Sequence, residues 1–209
     1  AIWEALENEA MNWRVMIHMF MVTGARRGEV LGLQWDKIDW KFSRIYIDQA
    51  VLYTPQKGTY LGEPKTPKAV RYGSIPRQML DELREYRAWY ERNALNMGNK
   101  WHEHNLCFPE TDGSPMHPTW VNTWLDAFAK KNGLPHINPH AFRHTQASML
   151  CFNGMDIVSI SHRLGHANVS TTTDIYSHIK DEAESRMADC IEEAFMPKVI
   201  EFNKDKKLG

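Results

Sequence analysis

Apolar residues recur at helical spacing along most of this chain, whereas strand-like alternation is concentrated in one stretch, residues 43–75. Segments 1–22 and 77–98 carry apolar side chains every three or four positions, the period of a helix with one buried face. Segment 43–75 opens with the β-branched and aromatic run SRIYIDQAVLY, which predicts one strand. Two more strand-like pieces follow at 59–61 and 69–75, with turns near Lys57–Gly58 and Thr66–Pro67. The sequence therefore predicts an α+β fold, mainly α-helical, with a small three-stranded antiparallel sheet.

Capping residues mark further helices in the second half of the chain. The segment TWVNTWLDAFAKKNG is predicted to be a helix closed by Gly133. Pro139 fits the first position of the next helix, where a missing N–H costs nothing, and that helix is expected to end near Asn153. Asp156 is the expected N-cap of a short helix that stops before Gly165. Beyond it, HANVSTTTDIYSHIK and DEAESRMADCIEEAF each predict one more helix.

The bulk composition narrows the class of protein. Of the 209 residues, 43% are hydrophobic and 24% are charged, which is typical of a soluble globular protein. Cys107, Cys151 and Cys190 form no CxxC pair, which argues against a disulfide framework and fits a reducing cytoplasm. No apolar run is long enough to cross a membrane. The net charge of −1 counts mildly against nucleic-acid binding, although a local basic patch matters more than the sum.

The stretch HINPHAFRHTQAS carries three histidines and an arginine within a few positions. His140 and His144 have the HxxxH spacing of many zinc sites, whereas His140 and Arg143 share a helix face and could hold a phosphate. A zinc site needs a third protein ligand, and neither His136 nor the HEH run at 102–104 supplies a recognised metal spacing. We therefore expect no metal, while a simple polar helix start stays open.

Other candidates are weak when each is considered alone. Arg26 and Arg27 stand at a predicted helix start and could seat an anion, or they could be solvated arginines paired with Glu29. Lys65 lies at the tip of the predicted hairpin, where most lysines are simply exposed, although one with a lowered pKa can donate a proton. Tyr176 lies among polar neighbours and could be a nucleophile or a half-buried, hydrogen-bonded tyrosine.

Taken in order, these stretches resemble one family, the tyrosine recombinases or phage-type integrases. TGARRGEVLGLQWDKID is similar to its first arginine box, PKTPKAVR to its lysine hairpin, HAFRHTQAS to its HxxR box, and LGHANVSTTTDIYSHI to the box that ends in its nucleophile. The sequence looks closest to integrases of conjugative transposons and of temperate phages of Gram-positive bacteria. The resemblance implies a catalytic set of Arg26, Lys65, His140, Arg143, His166 and Tyr176.

The resemblance also implies the chemistry, which is transesterification at a DNA phosphodiester without metal or ATP. Tyr176 would attack the phosphorus, and Lys65 would protonate the leaving 5′-oxygen. His140 would exchange a proton with the tyrosine. The remaining members would hold the phosphate oxygens with charged hydrogen bonds, which suits a transition state that spreads negative charge. These members are Arg26, Arg143 and His166.

The family further implies double-stranded DNA as the partner, a homotetramer on that DNA, and accessory excision or bending proteins in the bacterial cytoplasm. Additional DNA contacts are expected from Arg27, Lys57, Lys68 and Arg71. Residues 1–180 are interpreted as the catalytic domain and 181–209 as a C-terminal helix and tail that packs in cis or docks on a neighbouring protomer. Because the chain begins within a helical segment without an initiator methionine, we expect its N-terminal DNA-binding domains to be missing, and DNA binding to be weak.

Three other functions compete with this interpretation. A type IB topoisomerase shares the fold and the chemistry but relaxes supercoils. A DNA-binding module that has lost catalysis is disfavoured, because every catalytic position carries a suitable residue. A metal-dependent hydrolase built on the histidines is the most distant alternative.

Overall fold

A computed structural model describes residues 2–166 of the protein. The predicted helices after residue 166, the nucleophile candidate Tyr176 and the tail 181–209 lie outside the described residues. Within residues 2–166 no helix is both long and apolar enough to span a bilayer. Seven α-helices are present in this part of the chain: α1 (Ile2–Leu6), α2 (Met11–Thr23), α3 (Arg27–Leu31), α4 (Arg77–Met97), α5 (Thr119–Lys131), α6 (Pro139–Phe152) and α7 (Ile157–Leu164).

The described part of the chain contains a three-stranded antiparallel sheet and a separate hairpin. The strands are β1 (Ile38–Asp39), β2 (Arg44–Ile47), β3 (Ala50–Thr54), β4 (Gly58–Gly62) and β5 (Arg71–Ser74). The sheet has the order β1-β2-β5, whereas β3 pairs only with β4. A small three-stranded antiparallel sheet is thus confirmed, but its strands are not the three that the sequence suggested.

The run SRIYIDQAVLY was predicted to be one strand, and this prediction was wrong. It divides at Asp48 and Gln49 into β2 and β3. The Asp48 carboxylate binds the Lys37 ammonium at 2.6 Å, and the Gln49 amide donates to the Gly32 carbonyl at 2.8 Å. These two side chains tie the junction to the segment after α3, so the chain changes direction there and β3 leaves the sheet.

The core is built around α2, which is buried from Val15 to Phe20 and packs against α4 and α6. Aromatic rings of α4 extend this core, since Tyr86 stacks on Phe108 with 5.5 Å between ring centroids and donates a hydrogen bond to the Cys107 carbonyl. Next to Cys107, Leu106 forms an isolated β-bridge with Gln34. The segment between α2 and α3 packs against this core.

The starts predicted for α6 and α7 are confirmed. The Asn138 side chain accepts a hydrogen bond from the Ala141 N–H at 3.0 Å, and Pro139 follows it at the first helical position. The Asp156 carboxylate accepts from the Ser159 N–H at 2.8 Å, and α7 ends at Gly165 in the left-handed conformation. These caps fix the start of α6 and the end of α7, where the candidate site lies.

Candidate active site

Arg143 is buried at the centre of the site, with 6% of its surface exposed. Its guanidinium donates in three directions: to His166 Nε2 at 3.0 Å, to the Gly24 carbonyl at 2.8 Å and to the Leu164 carbonyl at 2.6 Å. The arginine of α6 therefore joins the end of α2 to the end of α7. Because a guanidinium has five N–H donors, these contacts occupy three of them.

His166 is held as a neutral imidazole by this contact. Its Nε2 accepts the hydrogen bond from Arg143 Nε, so the ring proton of the neutral form is on Nδ1. Burial, followed by the nearby charges of Arg143 and Arg26, lowers the pKa of His166 to about 4. Burial and the charge of Arg26 also lower the pKa of Arg143, to about 10, which keeps that group protonated at neutral pH.

Arg26 reaches the same place from the start of α3. It is the N-cap residue of that helix, and its Nη2 donates to the Gly165 carbonyl at 2.9 Å. Its side chain is 27% exposed, so it is the more accessible of the two arginines. We call Arg26, Arg143 and His166 the arginine–histidine cluster. Two guanidinium groups and one imidazole meet there at the last turn of α7.

Glu29 orients Arg26 and is a residue that sequence reasoning undervalued. Its carboxylate accepts from Arg26 Nη1 at 2.7 Å and from the Arg26 backbone N–H at 3.0 Å, and it also accepts from Arg71 Nη2 at 3.0 Å. Burial alone would raise the pKa of Glu29, but the charge of Arg71 and hydrogen bonds from both arginines outweigh burial and lower it. The signal in the sequence was an acidic residue three positions after an arginine at a helix start.

Arg71 does not fit the expected contact with DNA. Its side chain is only 2% exposed and pairs with the equally buried Glu29. Its other donors bind the carbonyls of Arg163 at 2.7 Å and Ala69 at 2.7 Å. We therefore correct this expectation: Arg71 is an internal arginine that a phosphate at the surface cannot reach.

His140 lies on the first turn of α6 with its side chain exposed beside the arginines. Partial burial, followed by the charges of Arg143 and Arg27, lowers the pKa of His140, which favours the neutral form of the ring. His144 is exposed one turn further, and His136 forms an ion pair with Asp126 at 3.1 Å. Within residues 2–166, no three histidine, cysteine or acidic side chains are grouped so that they could hold a metal ion.

The remaining basic residues that were predicted to act at the site lie outside the arginine–histidine cluster. Lys65 is exposed in the connection between β4 and β5, not at a hairpin tip as predicted, because those two strands pair with different partners. Lys68 is exposed in the 3-10 turn that follows. Lys57 is at the true tip of the β3–β4 hairpin, with its ammonium 5.4 Å from the ring centroid of Tyr60. Arg27 donates to the Asn122 side chain of α5 at 2.9 Å.

Gly24 makes the approach of Arg143 possible. It ends α2 with a φ of +58°, a conformation that side chains disfavour. A Cβ atom there would collide with the Gln146 side chain and would lie 2.7 Å from Leu164 Cδ2. The glycine of the TGARRGE motif thus lets α2, α6 and α7 meet at the carbonyl that Arg143 binds.

The chain is similar to proteins of one known family. The model of the phage integrase family matches residues 1–183. Among curated relatives, the ICEBs1 integrase of Bacillus subtilis is 29% identical over 172 residues, which cover 82% of this chain and 46% of that protein. A XerC-like tyrosine recombinase of Caldanaerobacter subterraneus is 26% identical over 206 residues, covering 93% and 52%. The chain thus spans about half the length of these curated relatives.

Solved structures agree in fold. The Tn1549 transposon integrase in complex with transposon right end DNA has a TM-score of 0.74 at 22% identity, covering 90% of this chain and 62% of that one. The XerA recombinase has a TM-score of 0.66 at 23% identity, covering 94% and 60%. With the arginine–histidine cluster at the expected motifs and the family model matched over most of its length, the chain belongs to the phage integrase family, the tyrosine recombinases.

Proposed function

We propose that this chain is the catalytic part of a site-specific DNA recombinase, which cuts and rejoins DNA through a 3′-phosphotyrosyl intermediate to integrate or excise a mobile element. The observation that carries the proposal is the convergence of Arg26, Arg143 and His166 at one helix end, with His140 beside them. Family membership supports it, as does the similarity to the ICEBs1 integrase and to an integrase solved with transposon DNA.

The geometry suits a phosphoryl centre better than a metal centre. Positive charges are fixed by carbonyl and carboxylate groups before any substrate arrives, so little reorganisation is needed when charge develops on the phosphate oxygens. Arg26 is the accessible member, and Arg143 stands behind it with its guanidinium fixed by three internal hydrogen bonds. A guanidinium does not lose its proton in the course of such a reaction, so the clamp keeps its charge.

The reaction proceeds by exchange of one phosphoester for another. The Tyr176 oxygen attacks the phosphorus, the bond from phosphorus to the 5′-oxygen breaks, and the 3′-phosphate stays on the tyrosine. The phenol proton passes to His140, whose lowered pKa favours the neutral ring that accepts it. Lys65 gives a proton to the leaving 5′-oxygen. A 5′-hydroxyl of a second strand then reverses these steps, and no net energy source is needed.

A covalent trap tests this proposal. A pool of nicked duplexes with a randomised core is incubated with the chain at low salt, and DNA that stays attached after denaturation is sequenced. The nicked fragment diffuses away after cleavage, so the intermediate accumulates. We expect an adduct whose yield is unchanged by EDTA. Absence of an adduct, or an adduct that requires a divalent metal, would overturn the proposal.

A type IB topoisomerase would form the same adduct, so a second assay separates the two activities. A supercoiled plasmid carrying two copies of the recovered sequence is incubated with the chain. A recombinase produces deletion or inversion between the copies, and its activity depends on both copies being present. A topoisomerase relaxes the plasmid equally well with one copy. Relaxation without recombination at any protein concentration would favour the alternative.

A further inference from the structure

Arg71 is an enclosed charged side chain next to the site, and its three contacts run to three different segments. It donates to the Glu29 carboxylate at 3.0 Å, to the Arg163 carbonyl at 2.7 Å and to the Ala69 carbonyl at 2.7 Å. Its side chain and that of Glu29 are each 2% exposed. A charge removed from water this fully is maintained only when its partners are all in place.

Each acceptor belongs to a segment that carries a proposed catalytic residue. Glu29 holds both the backbone and the side chain of Arg26. Arg163 is in the last turn of α7, directly before the two carbonyls that bind the arginines of the cluster. Ala69 closes the 3-10 turn Pro67–Ala69, which lies between Lys65 and β5.

The backbone directly before His166 also packs against the Arg71 guanidinium. Gly165 has a φ of +68°, and a Cβ atom there would lie 2.8 Å from Arg71 Nη1 and 3.1 Å from Arg71 Cζ. The same Cβ atom would lie 3.1 Å from the Lys68 carbonyl. The turn at Gly165 therefore packs against both Arg71 and the connection that bears Lys65.

We propose that Arg71 is a positioning residue that fixes the Lys65-bearing connection against the arginine–histidine cluster. This role deepens the proposed recombinase function and depends on it. A planar guanidinium can donate along three directions at once, whereas the compact ammonium of lysine has no such fork. Lys65 is exposed and lies just before the 3-10 turn that ends at Ala69, so the anchor at Ala69 restrains its distance from the scissile phosphate.

The test separates positioning of Lys65 from loss of the phosphate clamp. The recovered duplex is made with oxygen or with sulfur as the bridging 5′ leaving atom. A thiol has a pKa near 8.5, so a thiolate leaves without a proton from Lys65. The variant R71K is compared with K65A, with R143K and with R44K, a control on the exposed side of the neighbouring strand. Covalent adduct formation is timed for each variant on both duplexes.

We expect R71K to slow cleavage of the oxygen duplex by about 10²-fold, the cost of a small displacement of a catalytic group. Its defect on the sulfur duplex should be about 10-fold smaller, as for K65A, if most of the loss arises at the proton donor. R143K should be impaired equally on both duplexes, and R44K should behave as wild type. Equal defects of R71K on both duplexes, or no defect, would overturn the positioning role.

Folding is followed by circular dichroism. If R71K does not fold, the double variant E29Q/R71Q is compared with wild type, because removing both charges leaves neither member of this ion pair alone in the interior. Its defect should again be smaller on the sulfur duplex than on the oxygen duplex. If neither R71K nor the double variant folds, Arg71 serves the fold alone and the proposal is overturned. If wild type forms no adduct on either duplex, the recombinase proposal itself fails, which is a distinct result.

Discussion

At the scale of single residues, the site depends on how one buried arginine shares its donors. Arg143 binds His166 and two carbonyls from different helices, so its position is fixed by the fold before DNA arrives. The hydrogen bond from Arg143 also decides the state of His166, because an imidazolium has no lone pair to accept it. His166 is therefore best described as a neutral ring with its proton on Nδ1.

This description predicts a specific dependence of stability on pH. The pKa of His166 is about 4 in the fold, below its ordinary value of 6.5, so the unfolded chain binds more protons between these limits. The contribution of His166 to stability is therefore complete above pH 6.5 and is lost as the pH falls toward 4, with a limiting slope of about 1.4 kcal/mol per pH unit.

Denaturant unfolding of wild type and H166Q between pH 5 and 7 measures this effect. Glutamine also offers an acceptor but does not titrate, so the slope for H166Q should be shallower than that for wild type. Identical slopes would mean that the pKa of His166 is the same in the folded and unfolded chain, which contradicts the account.

At the scale of elements, the helix caps determine where the catalytic side chains stand. Asn138 and Asp156 each accept one backbone N–H bond at a helix start. The first cap lies beside His140, whereas the second lies at the end of α7 that is remote from His166. Substitutions at the two caps therefore form a matched pair, in which only the Asn138 cap is next to a proposed catalytic residue.

We expect N138A and D156A each to lower the free energy of unfolding by about 1 kcal/mol, the usual cost of losing a cap. Only N138A should also slow adduct formation, because fraying of the first turn of α6 displaces His140. Urea unfolding and timed covalent trapping measure the two effects. A cleavage defect of the same size in both variants would show that general destabilisation, not local geometry, controls activity.

Local signals predicted the helix boundaries between residues 77 and 166 well, because the information lies within a few residues. Segment 1–22, however, is two helices, α1 and α2, and not one. Pro139, Asp156 and Gly165 marked boundaries that the structure confirms. The sheet was harder, because strand pairing depends on distant contacts. The junction at Asp48 is set by Lys37, and the position of Lys65 follows from β4 and β5 pairing with different strands. Nothing in the local pattern reveals either contact.

The candidate site, too, could be predicted only where it does not depend on contacts between distant residues. The order of the motifs identified Arg26, Arg143 and His166 as catalytic candidates, and the structure brings their side chains together. Arg71 was misjudged because an arginine on a short, lysine-rich segment is usually exposed. Its burial depends on Glu29, which lies 42 positions earlier in the chain.

At the scale of the whole molecule, charge limits how firmly the chain can hold DNA. Its formal net charge is −1, and the arginines of the cluster are engaged in internal contacts. Nonspecific affinity comes mainly from phosphate contacts and the counterions that they release. We therefore expect no nanomolar binding of the recovered duplex at physiological salt in a gel-shift assay. Nanomolar binding there would contradict the weak-binding prediction.

Assembly is the second property at this scale. We propose that 1–180 is the catalytic domain and that the segment 181–209 docks on a neighbouring protomer in a tetramer on DNA, with accessory proteins assisting excision. Sedimentation of the chain with its duplex, with and without 181–209, tests the docking. Loss of higher assemblies on truncation is the expected result. Unchanged assemblies would indicate that this segment packs in cis.

The central claim is that Tyr176 carries the DNA strand during the reaction. The covalent adduct from the nicked duplex is digested with protease and nuclease, and the modified peptide is sequenced by mass spectrometry. We predict a nucleotide linked through its 3′-phosphate to Tyr176, and no adduct from Y176F, which keeps the ring but lacks the nucleophile. An adduct at another residue, or one that persists in Y176F, would contradict the account.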